Sequence, residues 1–252
     1  MNSARLSLDN AVNLRDVGGL PGRDGGSTRH LVLLRSGSLR LLTASDARLL
    51  LSVCGVGVVV DLRTAREVAA DGSSVLARAG VATLHLPLAR EERAVLPEAA
   101  GTPEPAAVLR ETYREYLDER GHHLVTLARV VAGASAATLV HCAAGKDRTG
   151  VAVAVLLDAV GVQRSAVIAD YTATNDVIEQ VVRLLAVMHG YAREIDGVDL
   201  AAHRARPAVL AELLEEVDDE HGRAAAWLRE RGLADHELTA LRRRLLRTAA
   251  AR

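Results

Sequence analysis

The sequence predicts an α/β fold in which a largely parallel central sheet is flanked by helices, with extra helices at the C-terminal end. Three observations predict it. Val56 to Leu62 is a near-continuous apolar run, the pattern of a strand buried on both faces in a parallel sheet. The short run Ala137-Thr138-Leu139-Val140 reads as a second buried strand. A glycine-containing loop and an Ala-rich helix from Val151 to Leu157, stopped by Gly161, follow it. Helical patterns then continue to the C-terminal end, where Pro207 stands at the position favoured for a helix start.

Composition sets the bounds. The 252 residues, 49% of them hydrophobic, suffice for one sizeable core. A formal net charge of −1 argues against a dedicated nucleic-acid or membrane-surface binder. No apolar run approaches the ~18 residues of a membrane span. Met1 to Arg5 opens no basic-then-apolar leader, so neither stable membrane insertion nor a secretory signal is expected. The expected location is the cytoplasm, or outside the cell by a route without a recognisable signal peptide. Cys54 and Cys142, far apart, are no disulfide framework and suit a reducing compartment.

In chain order, the Gly- and Asp-rich turn from Pro21 to Thr28 predicts a hairpin that ends in Leu31-Val32-Leu33-Leu34. Thr43 and Asp46 open a helix with Leu49, Leu50, Leu51 and Val53 toward the core, stopped by Gly55. Cys54 reads as a small buried hydrophobe, with reversible disulfide protection of Cys142 as the alternative. Thr64 to Glu67 form a capping box after the Val56–Leu62 strand. Val81 to Leu88 reads as another strand, and Arg90 to Pro105 as a connection long enough for a lid or substrate loop. Two helices are expected at Ala106–Asp118 and His122–Val131. Later helices are expected at Ala166–Thr172, from Asn175 or Asp176 to about His189, from Pro207, near Arg223–Arg231 and at Asp235–Arg247.

The chemistry concentrates in His141-Cys142-Ala143-Ala144-Gly145-Lys146-Asp147-Arg148-Thr149-Gly150. A loop between strand and helix points successive backbone N–H groups at one spot, at the positive end of the helix dipole, where an anion binds. Cys142 opens this loop and Arg148 closes it, so a nucleophile and a bidentate guanidinium meet the same anion. Lys146 is the only lysine in the chain, which suggests a flexible ammonium for a second phosphate or acidic group.

Cys-x5-Arg between strand and helix resembles the protein tyrosine phosphatase superfamily, and the ten-residue string resembles a bacterial branch of it. Asn13-Leu14-Arg15-Asp16-Val17-Gly18-Gly19, Arg35-Ser36-x-x-Leu39, Asp61-Leu62-Arg63 and Asp170-Tyr171-x-x-x-Asn175 match further motifs of that branch. The resemblance spans Asn13 to Asn175, and with the helical periodicity beyond it the chain reads as a single phosphatase domain over 1–252, with a core at about 10–190 and a C-terminal helical part at about 207–250. The resemblance implies action on phosphotyrosine, in some members on phosphoserine or phosphothreonine, and on phosphoinositides. For Arg15 and Asp16 a network tying the first strands to the sheet is expected; Arg35 could face the site or cap an edge.

The expected mechanism is nucleophilic. Cys142 attacks phosphorus as a thiolate and leaves a phosphocysteine that water hydrolyses. Arg148 clamps two non-bridging oxygens, and Thr149 donates its hydroxyl to the sulfur. Ala143, Ala144, Gly145, Lys146 and Arg63 would bind the substrate, while His141 orders the loop. No Trp-Pro-Asp tripeptide supplies an acid, since the only tryptophan is Trp227. Asp61 and Asp147 are the candidates, Asp61 preferred as acid and Asp147 for shaping the loop or activating water. No His/Cys/Asp cluster has metal-ligand spacing, so no cofactor is expected. The expected partners are a phosphorylated protein or a phosphoinositide. The alternatives are a phosphoinositide phosphatase, a rhodanese-like sulfurtransferase and a catalytically silent phosphate-binding module.

Overall fold

The computed structural model describes residues 8, 10–72, 74–91, 105–188, 200–201 and 203–247. The connection expected between Arg90 and Pro105 lies, apart from its ends, outside them. So does most of the segment from 189 to 202.

A mixed, mostly parallel sheet organises the molecule. β4 (Val56–Asp61) pairs in parallel with both β5 (Ala82–His85) and β6 (Ala137–His141). β6 also pairs in parallel with β3 (Leu33–Ser36), and β1 (Arg15–Asp16) adds an antiparallel edge, giving the order β1-β3-β6-β4-β5. The antiparallel β1/β3 pair brackets the expected Pro21–Thr28 turn. Side chains alternate across the sheet with the strand period of two. Leu33, Val60 and Val140 face the larger core, while Leu34, Val59 and Leu139 face a second one.

On the second face lie α1 (Ala44–Ser52) and α3 (Val75–Arg78), which contribute Leu50 and Leu76. The Thr43/Asp46 capping box starts α1 as expected. Three consecutive leucines cannot all face one side at 3.6 residues per turn. Leu50 is fully buried, whereas Leu49 is 43% and Val53 61% exposed, so the predicted core face of this helix was too wide.

The larger core joins the sheet to α4 (Pro105–Gly133), α5 (Asp147–Val160), α6 (Arg164–Thr172), α8 (Pro207–His221), α9 (Ala224–Glu230) and α10 (Asp235–Leu245). α4 is one continuous helix where two were expected. Gly121, between the two expected helices, sits inside it, and a Cβ there would meet Arg231 Cδ at 2.7 Å and Trp227 Cη2 at 3.1 Å. The missing side chain lets α9 approach. Trp227 is buried in that contact, with the Arg231 guanidinium 4.0 Å from its ring centroid. A 3-10 turn (Ala173–Val177) and α7 (Ile178–Ala186) replace the single helix expected after Asn175. β2 (Ser27–Thr28) pairs with β7 (Leu246–Arg247), closing the N-terminal turn on the end of α10. Among the described residues no helix is long and apolar enough to cross a membrane.

Candidate active site

β6 ends at His141 and delivers Cys142 to the C-terminal edge of the parallel strands, where open α/β sheets place ligands. The next three carbonyls are all tied outward. Ala143 O accepts from Ser38 N at 2.8 Å, Ala144 O from Asn13 Nδ2 at 3.0 Å, and Gly145 O from Arg35 Nη2 at 2.8 Å. In a planar trans peptide the N–H points opposite to the C=O. Fixing these carbonyls therefore turns the N–H groups of Ala144, Gly145 and Lys146 inward, and Gly145 N donates to Cys142 Sγ at 3.2 Å. Gly145 has φ +68°, and a Cβ there would lie 2.5 Å from the Ser36 and Gly37 backbone, so only glycine fits. The N-terminus of α5 has no side-chain cap, which leaves its amides and dipole on the same loop.

A buried ion network holds the outward ties. Arg15 Nε and Arg35 Nη1 donate to the two oxygens of Asp170, at 2.9 and 2.5 Å, and Arg15 Nη2 to its carbonyl at 2.7 Å. Burial disfavours the Asp170 carboxylate, but Arg15 and Arg35 outweigh it and hold its pKa down to about 2. Thr174 Oγ1 accepts from Asn13 Nδ2 at 3.2 Å, which steadies the side chain that grips Ala144. Arg15 thus serves Asp170, not Asp16. The Asp16 carboxylate instead accepts from Gly18 N and Leu31 N within the N-terminal turn. α7 packs Ile178, Val181 and Leu184 in one cluster with Ala143.

The charged groups at the end of β4 and just after it are engaged in ion pairs. α2 (Ala65–Asp71) starts with the expected Thr64/Glu67 capping box. The Glu67 carboxylate also accepts from Arg148 Nη1 at 2.6 Å and Nη2 at 2.9 Å, both partners buried. This pair uses two of the five guanidinium donors and fixes the plane of the arginine. Asp61 accepts from Arg63 Nε at 3.0 Å, Arg63 Nη2 at 2.7 Å and Arg63 N at 3.0 Å, and Arg63 Nη1 reaches Asp71 at 2.8 Å. Burial pushes the Asp61 carboxyl up, but His141 and Arg63 beside it hold it far below the carboxylate range. The fully buried His141 ring is pushed down chiefly by burial, toward its neutral form.

At the mouth of α5, Lys146 Nζ donates to His203 O at 2.7 Å and lies 3.6 Å from Asp147 Oδ2. Asp147 Oδ1 accepts from the Tyr113 hydroxyl at 2.6 Å. Burial, with the Asp147 carboxylate alongside, keeps the Tyr113 phenol well above its ordinary range, so it remains a donor. Asn175 grips the Ala205 backbone through both ends of its amide, at 2.7 and 3.0 Å. Among the described residues, Thr149 Oγ1 is fully buried and has no hydrogen-bond partner. Among the described residues no group of three or more His, Cys, Asp or Glu could hold a metal ion.

Sequence comparison agrees with this geometry. A family model described as "Tyrosine phosphatase family" matches residues 6–247. The chain belongs to the tyrosine phosphatase family. A protein of Cupriavidus necator, provisionally named a tyrosine-protein phosphatase, is 33% identical over 68% of this chain and 63% of its own length. The triple specificity protein phosphatase PtpB of Mycobacterium tuberculosis is 31% identical over 53% of each chain. The match to each of these two thus spans less than two thirds of the relative. A tyrosine-protein phosphatase of Nostoc commune is 28% identical over 84% of this chain and 73% of its own. The solved structure of P. aeruginosa TpbA, at 19% identity over 82% of this chain and 98% of that one, has a TM-score of 0.33, too low to bear on fold or function.

The structure therefore brings Cys142, Ala143, Ala144, Gly145, Lys146, Asp147, Arg148 and Thr149 into one loop and helix start. It places Asp61 and Arg63 beside that site but spent on each other, which counts against Asp61 as an acid and Arg63 as a substrate ligand. Lys146 does not project freely, because the His203 carbonyl holds its ammonium. Cys54 lies before the N-terminal end of β4, whereas Cys142 follows the C-terminal end of its neighbour β6. The six residues of β4 between those ends span roughly 20 Å at about 3.3 Å per residue. A disulfide needs Cα atoms within about 7 Å, so the protective Cys54–Cys142 bond is excluded in this fold. Sequence reading missed Glu67 as the partner of Arg148, Asn13 and Ser38 as carbonyl anchors, and Tyr113. Glu67, Asn13 and Ser38 each stood within a motif that could have drawn attention, and Tyr113 did not.

Proposed function

We propose that this chain is a cysteine-dependent phosphomonoesterase acting first on phosphotyrosine in proteins. The observation that carries the reading is the set of outward-tied carbonyls, which turns consecutive N–H groups inward, that of Gly145 onto Cys142 Sγ, while Glu67 orients Arg148. Such a concavity suits a dianionic phosphoryl group passing between a substrate or water oxygen and the Cys142 sulfur. Cys142 attacks phosphorus as a thiolate stabilised by these amides and by the α5 dipole. Arg148 clamps two non-bridging oxygens, and the loop amides follow the charge into the transition state. Water then hydrolyses the phosphocysteine, and the unpartnered Thr149 hydroxyl is suited to donate to the departing sulfur.

The proton for the leaving oxygen comes, in this reading, from Asp147 rather than Asp61. Asp61 is ionised and filled by Arg63, whereas Asp147 stands at the loop with Oδ1 accepting from Tyr113 and Oδ2 facing the Lys146 ammonium at 3.6 Å, beyond hydrogen-bond reach. The ammonium of Lys146, engaged by His203 O, supports a phosphoprotein ahead of a multiply phosphorylated inositol headgroup. Phosphoserine and phosphothreonine follow phosphotyrosine, whose better leaving group asks less of the acid. The protein would meet its substrate in the cytoplasm or after export.

Turnover of a phosphotyrosine peptide, a phosphoserine peptide and a short-chain phosphoinositide, by wild type and Cys142→Ser, tests the reading. Wild type is expected to favour the phosphotyrosine peptide, and the serine variant to lose at least 1000-fold on all three (roughly the scale of losing a nucleophile). Preference for the phosphoinositide would reassign the substrate class. Binding without turnover would leave a silent phosphate-binding module.

A further inference from the structure

A hydrogen-bond chain runs from the backbone at the start of α8 to the catalytic loop, and the scheme above uses only its last member. Arg206 N lies 3.3 Å from the Tyr171 hydroxyl, which lies 2.7 Å from the Tyr113 hydroxyl, which lies 2.6 Å from Asp147 Oδ1. A backbone amide can only donate, and Asp147 Oδ1 ends the chain as acceptor. Each hydroxyl therefore accepts on one side and donates on the other, all in one direction. Both tyrosines are fully buried, so water does not compete for these bonds. The packing is specific. A Cβ on Gly150 would sit 2.7 Å from Tyr171 Cδ2, so this glycine of α5 makes room for the ring that carries the chain.

We propose that Tyr113 is a positioning residue for proton transfer: by donating to Asp147 Oδ1 it reserves that oxygen as an acceptor and leaves Oδ2 to carry the catalytic proton. This deepens the phosphatase reading and rests on Asp147 as its acid. As the Cys142 S–P bond forms and the P–O bond to the leaving group breaks, the proton on Oδ2 passes to the leaving oxygen. In the second step water gives a proton back to Oδ2 while its oxygen bonds to phosphorus, and the S–P bond breaks to return the thiolate. Without the Tyr113 hydroxyl, the carboxyl can rotate and present either oxygen, so the proton is misplaced in a share of encounters.

The test compares wild type, Tyr113→Phe, Tyr171→Phe and Asp147→Asn on two substrates of similar size. Phenyl phosphate needs its leaving oxygen protonated; p-nitrophenyl phosphate largely does not. Tyr113→Phe is expected to lower kcat on phenyl phosphate about 10-fold and on p-nitrophenyl phosphate less than about 2-fold, with KM unchanged on both. Asp147→Asn should show the same split at about 100-fold, within the range for general acid catalysis. Tyr171→Phe, one bond further away, should show it weakly and serves if Tyr113→Phe folds poorly by near-UV circular dichroism. Equal losses on both substrates, or a rise in KM, would mean mere support of the loop and overturn the proposal. A split in Asp147→Asn without one in either tyrosine variant overturns it alone. No split in Asp147→Asn removes the acid assignment beneath it, and a wild type inactive on both substrates refutes the phosphatase reading itself.

Discussion

Glu67 uses one carboxylate twice. It accepts from Thr64 N at 2.7 Å as the second half of a capping box, and it grips both terminal nitrogens of Arg148. Glutamine at this position keeps one acceptor oxygen and turns an NH2 group toward donors that already face it. Glu67→Gln should therefore misalign Arg148 and lower kcat/KM by about 10- to 100-fold, equivalent to ~1.4–2.7 kcal/mol of transition-state stabilisation. Steady-state kinetics at 25 °C check it, and unchanged kcat/KM would mean that Arg148 needs no orienting partner. In the sequence Glu67 is a helix-capping residue and nothing more. Its second role depends on a residue 81 positions away, which no local pattern encodes.

Among the elements, the anion loop is a short span whose shape is imposed from outside. Its amides point inward because Asn13 before β1, Arg35 of β3 and Ser38 after β3 pull its carbonyls outward, and Asp170 on α6 holds Arg15 and Arg35 in place for this. Asp170 is an ordinary carboxyl lowered from 3.8 to about 2 in the folded state. Its contribution, about 2 kcal/mol, is fully present above the unfolded value and is lost as pH falls from about 4 toward 2. Asp170→Asn removes it and leaves two buried guanidiniums short of a counter-charge, a cost of about 3–5 kcal/mol. Urea unfolding at pH 7, 4 and 3 should show the gap between wild type and variant narrowing toward acid. A gap that stays constant with pH would contradict the ion-pair assignment. The elements themselves were largely legible. Capping boxes at Thr43 and Thr64, the Val56 run and Pro207 all carry their cause within a few residues. The single helix α4, the β2/β7 pairing and the Arg15–Asp170 link were not, because each is decided by a partner far along the chain: Trp227 for Gly121, β7 for β2, and α6 for β1.

At the scale of the molecule, the C-terminal helices are part of the body that holds the loop. Leu213, Trp227 and Leu241 share one buried cluster with Val60 and Val140 of the sheet, and β7 pairs with β2 in the N-terminal turn. We accordingly expect a single folding unit rather than a catalytic core with a helical appendix. Trp227 fluorescence reports α9, and far-UV circular dichroism reports the whole chain. The two urea transitions should coincide within error. A separate, earlier Trp227 transition would mean that the helical part unfolds alone. The loop residues were readable because a nucleophile, a guanidinium and a glycine stand together in ten positions; what holds them was spread across the whole fold.

The central claim is that Cys142 takes the phosphoryl group from its substrate. The most direct measurement is acid quenching during turnover of a phosphotyrosine peptide, followed by mass spectrometry of the peptide that contains Cys142. The account predicts a phosphate adduct on Cys142 that disappears as substrate is exhausted and is absent from Cys142→Ser, which does not turn over. Turnover with no adduct at any time, retained in Cys142→Ser, would contradict it.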